Sequence, residues 1–429
     1  MRILVVGSGG REHALCWAVR RELPEASLYC APGNPGTATV AENIPIAADD
    51  LDRLVDAADM YGIDLTVIGP EVPLALGLSD RIQAEGRAVF GPSAAAAQIE
   101  SSKAFAKDVM RAAGVPTAAS GTFTALESAL SFIDAQDEPL VVKASGLAAG
   151  KGAVVCATRH EARDTARAML EEQRFGSAGA EIIVEAFLQG EEVSIFALTD
   201  GRDAFLLPAS QDHKRLNEGD TGPNTGGMGA YSPVSLATPA LLVTTAEQII
   251  APTLEEMRRR GAPFSGLLYA GLMVSPDGAP SVVEFNCRFG DPETQAVLPL
   301  LRDGLVDAME SIALGQGVRP VTVDRSRSAV TTVLAARGYP DAPEKGAEIT
   351  IPADLTDGVL VFHAGTRRDN AGVLRANGGR VLTVTGVAES FEGARELSRK
   401  GAEQIQFDGK IFRSDIGWRE GAGRRAPDI

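Results

Sequence analysis

The first hundred residues alternate short apolar runs with stretches of helical pattern. The apolar runs read ILVVG, SLYCA, LTVIG and AVFG. Each one ends in a loop rich in glycine or proline, at residues 7–10, 31–34, 69–71 and 91–93. This alternation predicts a doubly wound, mainly parallel sheet, and such sheets bind their ligands at the carboxyl edge of the strands.

The first of these loops, GSGG, suggests a nicotinamide-binding domain at first sight. That fingerprint needs a third glycine where Glu12 stands, and an acidic residue at the end of the second strand, where Ala31 and Pro32 stand. Both are missing, so a dehydrogenase is disfavoured. A glycine turn before a helix still offers backbone N–H groups to an anion, so Gly9 and Gly10 are candidates to hold a substrate phosphate. The alternative is a tight turn without a ligand.

Composition excludes several function classes. A formal charge of −16 disfavours non-specific binding to nucleic acid or to an anionic membrane. The four cysteines form no CxxC pair, which suggests neither a disulfide framework nor a zinc site. The chain begins directly with a strand pattern and contains no run near the ~18 apolar residues of a membrane span. We therefore expect a soluble, cytoplasmic protein.

Lysines surround a glycine-rich hairpin in the segment VVKASGLAAGKGAVVCA. Lys143 lies on a strand, Gly150, Lys151 and Gly152 follow, and a second strand comes next. A P-loop would need one more residue between the glycines, a Ser or Thr at the last position, and a following helix. A glycine hairpin framed by lysines can nevertheless cover a triphosphate. Lys103, at the start of a predicted helix, is disfavoured by the helix dipole and is a second candidate for an anion; a ligand-free hairpin is the alternative.

The strand near residue 185 continues into a segment suited to a purine. Glu185 closes an apolar strand, Phe187 and Leu188 follow in extended conformation, and Glu192 comes after a turn. Extended backbone can hydrogen-bond the edge of a purine, and a carboxylate can accept from ribose hydroxyls. The residues alone also fit a β-hairpin with two solvated glutamates.

The stretch SVVEFNCRFGDPE, at residues 281–293, carries a candidate metal site. Strict strand alternation places Val282, Glu284 and Asn286 on one face. A carboxylate and an amide oxygen form part of a shell for a hard divalent cation. Arg288 then brings a guanidinium suited to phosphate or carboxylate oxygens. On the strand alone, a solvated sheet edge is equally compatible.

The remaining pattern gives coarser predictions. Residues 211–229 contain QDHKR and TGPNTGGMG, have no clear element of their own, and are predicted to form a lid that orders over a ligand. Helices are predicted over 239–260, 296–314 and 388–404, and strands at 329–336, 346–352, 359–366 and 380–387.

Together these stretches resemble a known family. They include VVGSGGREHAL, APGNPGTA, VVKASGLAAGKG, SQDHKR, FSGLLYAGLM, HAGT and NGGRVL, and the most specific are TGPNTGGMGAYSP and RFGDPETQ. Over nearly its whole length the chain resembles the glycinamide ribonucleotide synthetases, or phosphoribosylamine-glycine ligases, of the ATP-grasp superfamily. The resemblance implies that ATP phosphorylates the carboxylate of glycine, and that the amine of 5-phosphoribosylamine then displaces phosphate to give glycinamide ribonucleotide in purine biosynthesis.

The resemblance also implies roles for individual residues. It assigns Mg²⁺ or Mn²⁺ to Glu284 and Asn286, and charge stabilisation during the reaction to Arg288. It places ATP against Lys103, Lys143, Gly150, Lys151, Gly152, Glu185, Phe187, Leu188 and Glu192. For the second substrate it suggests Gly9, Gly10, Glu71 and Asn224, with Asp212 as a further catalytic residue.

The implied architecture has three domains: an N-terminal doubly wound sheet (1–100), a central ATP-grasp domain (101–320) that includes a hairpin subdomain (about 118–190), and a C-terminal α+β domain (321–420) before a tail (421–429). We expect a monofunctional monomer or weak oligomer. Two alternatives stay open, another ATP-grasp ligase or carboxylase, and a nucleotide-binding regulator without turnover. The motifs TGPNTGGMG and RFGDPETQ disfavour the first, and the intact Glu284, Asn286 and Arg288 disfavour the second.

Overall fold

The computed structural model describes residues 1–148 and 152–421. Its N-terminal strands are β1 (Arg2–Gly7), β2 (Ser27–Pro32), β3 (Glu42–Asn43), β4 (Leu65–Ile68) and β5 (Ala88–Phe90). The helices around them are α1 (Gly10–Glu22), α2 (Leu51–Met60), α3 (Glu71–Ala75), α4 (Leu78–Ala84) and α5 (Ala94–Ser101). All neighbouring strands pair in parallel, in the order β3-β2-β1-β4-β5, which confirms the predicted doubly wound sheet.

The winding direction of this sheet reverses beside β1. β1 pairs with β2 on one side and with β4 on the other, so the loops that follow β1 and β4 are neighbours at the carboxyl edge. The first loop carries Gly9 and Gly10, and the second leads into Glu71 at the start of α3. Ligands of open α/β sheets bind at this kind of crevice.

The next segment forms an antiparallel sheet with helices packed against it. Its elements are α6 (Lys103–Ala113), β6 (Ser120–Phe123), α7 (Leu126–Asp134), β7 (Leu140–Ala144), β8 (Ala153–Cys156), α8 (Arg159–Leu170) and β9 (Ile182–Ala186). The strand order is β6-β9-β7-β8. Its core contains Val142, Ala166 and Val184, all fully buried. Gly150 and Lys151 lie outside the described residues.

The chain continues through β10 (Glu191–Thr199), β11 (Ala204–Leu206), β12 (Gln211–Asp212), β13 (Arg215–Asn217), β14 (Thr221–Asn224), β15 (Gly229–Ser232), α9 (Pro239–Thr245), α10 (Ala251–Arg259), β16 (Gly266–Val274) and β17 (Pro280–Asn286). Strands β11-β10-β16-β17 form the central antiparallel sheet. The helix predicted over 239–260 is present, but a π-helical segment, Ala246–Ile250, joins its two α-helical parts. This irregular turn comes directly before Pro252, which has no N–H to donate.

The final elements are α11 (Glu293–Val297), β18 (Leu301–Asp303), α12 (Leu305–Ala313), β19 (Thr322–Val323), β20 (Ser328–Ala336), β21 (Val359–His363), β22 (Thr366–Arg368), β23 (Leu374–Ala376), β24 (Arg380–Ala388), α13 (Phe391–Gln404), β25 (Lys410–Ile411) and α14 (Trp418–Gly421). Two predictions are wrong here. The single helix predicted over 296–314 is broken between α11 and α12, where Gly304 has φ +89°. The strand predicted at 346–352 forms only isolated bridges, at Glu348 and Thr350.

The irregular loop predicted at residues 211–229 is also wrong, because strands β12 to β15 occupy much of this segment, and its role as a lid stays a prediction. β12 pairs with β15 and β15 pairs with β20, so this segment extends the C-terminal sheet, whose order is β12-β15-β20-β24-β21 with β25 on β20. β13 and β14 form an antiparallel ribbon beside it. Glycines that suggested a mobile loop allow close packing instead: a Cβ added at Gly229 would lie 2.5 Å from the Thr331 carbonyl oxygen.

The N-terminal and central sheets share one core. A single cluster of buried apolar side chains contains Leu74 from α3, Leu268 from β16 and Phe285 from β17. This packing places the crevice of the N-terminal sheet against the end of β17. In the described part of the chain, no helix is long and apolar enough to cross a lipid bilayer.

Candidate active site

A cavity of about 470 Å³ lies where the N-terminal, central and C-terminal sheets meet. Most residues predicted for a site line it: Glu71, Lys103, Lys143, Gly152, Glu185, Phe187, Leu188, Glu192, Asp212, Asn224, Glu284, Asn286 and Arg288. Residues separated by more than two hundred positions therefore face one space. Gly9 and Gly10 are not among its lining residues, and the structure does not describe Gly150 and Lys151.

Glu185 lies buried between two lysines at one end of this cavity. The Nζ atom of Lys107 lies 2.7 Å from Oε2 of Glu185, and Lys143 pairs with the other carboxylate oxygen. Lys107 also donates a hydrogen bond of 2.8 Å to Oγ1 of Thr117. The sequence analysis missed Lys107, although its spacing of four residues from Lys103 places both lysines on one face of α6.

Apolar side chains form the wall beside these lysines. Met110, Ile183 and Met273 line the cavity here, together with Phe187 and Leu188. Phe187 is 38% exposed, which is unusual for a phenyl ring. A narrow apolar space next to an oriented carboxylate suits a flat heteroaromatic ring with polar edges.

Glu192 is paired with a second residue that the sequence analysis missed, Lys214 of the QDHKR motif. The ammonium group of Lys214 contacts Oε2 of Glu192, and Nε2 of Gln211 donates a 2.6 Å hydrogen bond to the Glu192 carbonyl oxygen. Burial opposes the charge of Lys214, but Glu192 and Asp212 outweigh it and raise its pKa well above the ordinary value. Lys214 is therefore a permanent cation inside the cavity.

A β-bulge decides which residues of β17 face the cavity. Gly271 of β16 pairs with Glu284, but the next residue, Leu272, pairs with Val282, so Val283 is an extra residue in the ladder. The predicted alternation is therefore wrong at Val282, which is fully buried in the core. Val283, by contrast, lines the cavity.

Glu284 and Asn286 face the cavity beside several cations. Burial opposes ionisation of Glu284, but Lys214, Lys143 and Lys103 outweigh it and hold the pKa of this carboxyl below its ordinary value. An ionised carboxylate and an amide oxygen are ligands that a hard divalent cation accepts. Within residues 1–148 and 152–421, no group of three or more His, Cys, Asp or Glu side chains is spaced to hold a metal by itself.

Arg288 follows β17 and connects it to the N-terminal sheet. Its Nη2 atom lies 2.7 Å from Oε1 of Glu100, and its Nε atom lies 3.4 Å from Oε2 of Glu71. Burial disfavours the guanidinium charge, but these two carboxylates outweigh it and raise the pKa of Arg288 above its ordinary value. Burial also raises the pKa of Glu100, which Arg288 offsets only in part, because Glu71 adds a second negative charge.

Arginines also lie at the end of the cavity away from Glu185. Nη1 of Arg380 donates hydrogen bonds of 2.6 Å to the carbonyl oxygens of Gly226 and Asp291. Nη1 of Arg11 donates to the Phe289 carbonyl oxygen at 3.0 Å. Both arginines line the cavity. The sequence analysis named neither as a site residue, although REH and NGGRVL were among the motifs that carried the resemblance.

Glu12 occupies the crevice at the switch point of the N-terminal sheet. Its Oε2 atom accepts a 2.5 Å hydrogen bond from the Gly9 amide, and its Oε1 atom accepts one of 2.6 Å from Nε of Arg11. A Cβ added at Gly69 would lie only 2.1 Å from Oε1 of Glu12. The amide that could bind an anion thus already binds a carboxylate, and the phosphate-binding role of Gly9 and Gly10 stays a prediction.

Asp212 lies near three other carboxylates. Burial, together with Glu293, Glu192 and Glu284, raises the pKa of Asp212 to about 7, although Lys214 acts in the opposite direction. Glu293 itself accepts a 2.8 Å hydrogen bond from the hydroxyl of Tyr269. A carboxyl group with this pKa can accept a proton from an amine near neutral pH.

Comparison with known proteins accounts for the whole architecture. Three family matches run along the chain: Phosphoribosylglycinamide synthetase N domain over residues 1–100, ATP-grasp (A) domain over 101–294 and C domain over 329–419. A phosphoribosylamine-glycine ligase of Xanthomonas axonopodis pv. citri is 47% identical over 427 residues, covering 99% of both chains. The chain belongs to the phosphoribosylglycinamide synthetase family.

Other members of this family match the chain with high coverage and comparable sequence identity. The phosphoribosylamine-glycine ligase of Chlorobaculum tepidum is 47% identical, covering 97% of this chain and 99% of that one. The crystal structure of the Thermotoga maritima phosphoribosylamine-glycine ligase superimposes with a TM-score of 0.86 at 36% identity, covering 97% of this chain and 100% of that one. The three-domain arrangement of the phosphoribosylglycinamide synthetase family is therefore confirmed for this chain.

More distant structures share the fold alone. The biotin carboxylase domain of a Hydrogenobacter thermophilus 2-oxoglutarate carboxylase superimposes with a TM-score of 0.73 but only 17% identity, over 96% of this chain and 91% of that one. A likeness at this level carries no substrate or activity across.

Proposed function

We propose that this chain joins glycine to 5-phosphoribosylamine with the cleavage of ATP, giving glycinamide ribonucleotide, ADP and phosphate in purine biosynthesis. The observation that carries the proposal is one cavity with two chemically different ends. Lysines, an oriented glutamate and an apolar wall form one end, whereas Arg11, Arg380 and Glu71 form the other. Arg288 lies between the ends, beside Glu71 and Asn286. A phosphoryl transfer followed by attack of an amine needs such an arrangement.

ATP binds at the lysine end. The adenine ring lies against the apolar wall, where the backbone of Phe187 and Leu188 and the carboxylate of Glu185 meet its polar edge. Glu192 accepts hydrogen bonds from the ribose hydroxyls. Lys103 and Lys143 neutralise the phosphates, and the family resemblance implies the same role for Gly150, Lys151 and Gly152. Fixed cations in a buried site stabilise phosphate charge more strongly than water does.

Glu284 and Asn286 fit a divalent cation, Mg²⁺ or Mn²⁺. Their oxygens face the same cavity as the phosphate-binding lysines, and Glu284 is ionised for the reason given above. When bound, the ion would neutralise charge on the phosphate oxygens. Lys103 interacts electrostatically with Glu284. Burial lowers the pKa of Lys103, and the negative charge of Glu284 acts against that effect.

The reaction then proceeds in two steps. A carboxylate oxygen of glycine attacks the terminal phosphorus of ATP, and the bond to ADP breaks, leaving glycyl phosphate. The amine nitrogen of 5-phosphoribosylamine attacks the acyl carbon, the bond to phosphate breaks, and the amine proton passes to Asp212. Arg288 stabilises the negative charge on the acyl phosphate formed in the first step and on the oxygen of the tetrahedral adduct in the second. This is electrostatic stabilisation and requires no covalent enzyme intermediate.

5-Phosphoribosylamine binds at the arginine end. Glu71 and Asn224 contact its hydroxyls, and Arg11 and Arg380 carry the charge that attracts its phosphate; all four side chains line the cavity. Gly9 and Gly10 stay candidates for the same phosphate at the edge of this region. The chain works with small-molecule substrates in the cytoplasm, as a monomer or weak oligomer, without nucleic acid or membrane partners.

The test is an omission assay. ADP release should require ATP, glycine, 5-phosphoribosylamine and Mg²⁺ together, and the carbon of labelled glycine should appear in glycinamide ribonucleotide. Strong ADP release with bicarbonate in place of glycine would contradict the proposal and favour a carboxylase. Nucleotide binding without ADP release under any combination would favour a regulator.

A further inference from the structure

Asp212, the candidate proton acceptor, and the cavity cation Lys214 are separated by one residue that points the other way. Asp212 and Lys214 line the cavity, whereas His213 between them is fully buried on the opposite side and packs 6.1 Å from the ring of Tyr231. Nε2 of His213 accepts a 2.9 Å hydrogen bond from the backbone N–H of Gly417, near the end of the described chain. The ring proton is therefore on Nδ1, which lies 3.5 Å from Oδ1 of Asp220.

Asp220 is the centre of a network of donors. Its Oδ1 atom accepts a 2.8 Å hydrogen bond from Nη1 of Arg413. Its Oδ2 atom accepts bonds of 2.6 Å from Nη2 of Arg419 and 3.2 Å from the indole N–H of Trp418. Although burial opposes its charge, the donors His213 and Arg413 hold the pKa of Asp220 below the ordinary value. Asp220 thus joins the ribbon of β13 and β14 to residues 413–419, which we call the C-terminal clamp.

Residues of the C-terminal clamp contact the ribbon of β13 and β14 at further points. Arg413 is only 1% exposed and donates to the carbonyl oxygen of Arg215 at 3.0 Å. Its Nε and Nη2 atoms each lie 2.7 Å from an oxygen of Asp415, which also accepts a 2.9 Å hydrogen bond from the Gly219 amide. A fully paired buried arginine of this kind fixes geometry, because moving it would leave several donors without acceptors.

One contact reaches a catalytic candidate directly. Nη1 of Arg419 donates to the carbonyl oxygen of Asp212 at 3.4 Å, while its Nη2 atom binds Asp220. The clamp therefore holds the backbone of residues 212–214 from the side opposite the cavity. None of these clamp residues lines the cavity.

We propose that the C-terminal clamp, acting through Asp220, His213 and Arg419, positions Asp212 and Lys214 for the ligation step. These are positioning residues, since they contact the backbone and ribbon that carry the catalytic candidates and not the substrates. Misplacing a reacting group by about 1 Å can lower a rate by about 10²-fold. The inference rests on the proposed function, because that function assigns the amine proton to Asp212.

Three variants test the clamp, each measured as kcat per folded molecule. Asp220→Asn keeps the side-chain volume but turns an amide group toward the donors of the clamp. Arg419→Ala removes the hydrogen bonds to Asp212 and Asp220 from a partly exposed side chain, and Arg419→Lys keeps the positive charge. We expect kcat to fall about tenfold in the first two and less in Arg419→Lys, with a smaller change in the KM for ATP. Asp408→Asn, an exposed carboxylate paired with Arg337, is the matched control.

Trp418 provides a readout that does not depend on activity. The chain has two tryptophans, so in a Trp17→Phe background the emission reports Trp418 alone. Asp220→Asn should shift this emission because the indole loses its acceptor, and Asp408→Asn should not. An unchanged emission wavelength would overturn the assignment of Asp220 as the acceptor for the donors of the clamp.

The failures of the two proposals are distinguishable. If the unmodified chain shows no ADP release that depends on glycine and 5-phosphoribosylamine, the proposed function fails. If it turns over, and the clamp variants lower only the melting temperature while kcat per folded molecule equals that of the unmodified chain, the clamp is purely structural and the inference is overturned.

Discussion

Oε1 of Glu100 lies 2.7 Å from Nη2 of Arg288, and Oε2 of the same carboxylate accepts a 2.8 Å hydrogen bond from the Cys287 amide. One glutamate at the end of α5 thus orients both the backbone and the side chain that leave β17. Because both oxygens are used and Glu100 is 8% exposed, the guanidinium is held in a fixed direction before any substrate arrives. Preorganised charge of this kind lowers a barrier without a cost of reorientation.

Removing the guanidinium should therefore affect turnover more than binding. We expect Arg288→Ala to lower kcat by about 10²-fold while the Kd for ATP changes little, as for the loss of a transition-state donor. Steady-state kinetics and a nucleotide-binding titration measure the two effects. Arg302→Ala, a surface arginine with 63% side-chain exposure, is the control. Equal turnover in Arg288→Ala would remove Arg288 from the mechanism.

The lysine pair around Glu185 leads to a prediction about ATP affinity. Lys107→Met preserves the length of the side chain but removes the partner of Oε2, so Glu185 turns toward Lys143 and loses its orientation toward the nucleotide. We expect the KM for ATP to rise about tenfold, with a smaller change in kcat, because the loss is in ground-state binding. Lys345→Met, at an exposed position, is the control. An unchanged KM for ATP would show that Lys107 only supports the fold.

Asp212 should make stability depend on pH in an unusual direction. Its folded pKa is about 7, above the ordinary value, so the folded state holds this proton more tightly than the unfolded state does. Stability from this group is therefore present at low pH and is lost as pH rises through 7. We expect Asp212→Asn to raise the melting temperature at pH 8 by about 2 °C or more, and to raise it less at pH 5.

The same substitution should lower kcat by about 10²-fold, because an amide cannot accept the amine proton. Thermal melts from pH 5 to pH 8 and initial rates provide the two measurements, and Asp56→Asn, at an exposed position on α2, is the control. A melting temperature that differs from that of the unmodified chain by the same amount at every pH would contradict the raised pKa.

The buried side chain of His13, which contacts the half-buried His363, has the opposite effect. His13 accepts a 2.8 Å hydrogen bond from the His363 amide through Nδ1, and burial together with His363 lowers its pKa to about 3. Stability from neutral His13 is present above the unfolded pKa and is lost as pH falls from 6.5 toward 3. Between pH 7 and pH 5 we expect this group to account for a loss of ~2 kcal/mol in the free energy of unfolding.

Urea unfolding at the two pH values tests this prediction. The loss between pH 7 and pH 5 should be smaller in His13→Gln than in the unmodified chain by that amount. His160→Gln, with an 84% exposed side chain, should match the unmodified chain. Equal pH dependence in all three proteins would contradict the buried neutral His13.

The sequence established the first sheet and many of the charged side chains that line the cavity. Alternating runs and glycine loops predict a parallel sheet because both depend on local backbone preferences and side-chain burial. Glu284, Asn286 and Arg288 could be named because carboxylate, amide and guanidinium groups within five residues lie near one another in any extended chain. The motifs that carried the family resemblance supported the residues proposed to bind adenine and phosphate.

Only the tertiary structure decided how these groups meet. The bulge at Val283 depends on the pairing of β17 with β16, and the pairing of Glu185 with Lys107 depends on how α6 packs on β9. Residues 211–229 look like a loop locally, but β12 pairs with β15, and β15 in turn pairs with β20, which lies far later in the chain. Backbone groups take the partners that the folded chain brings to them, and distances across the fold are not written in the spacing of residues along it.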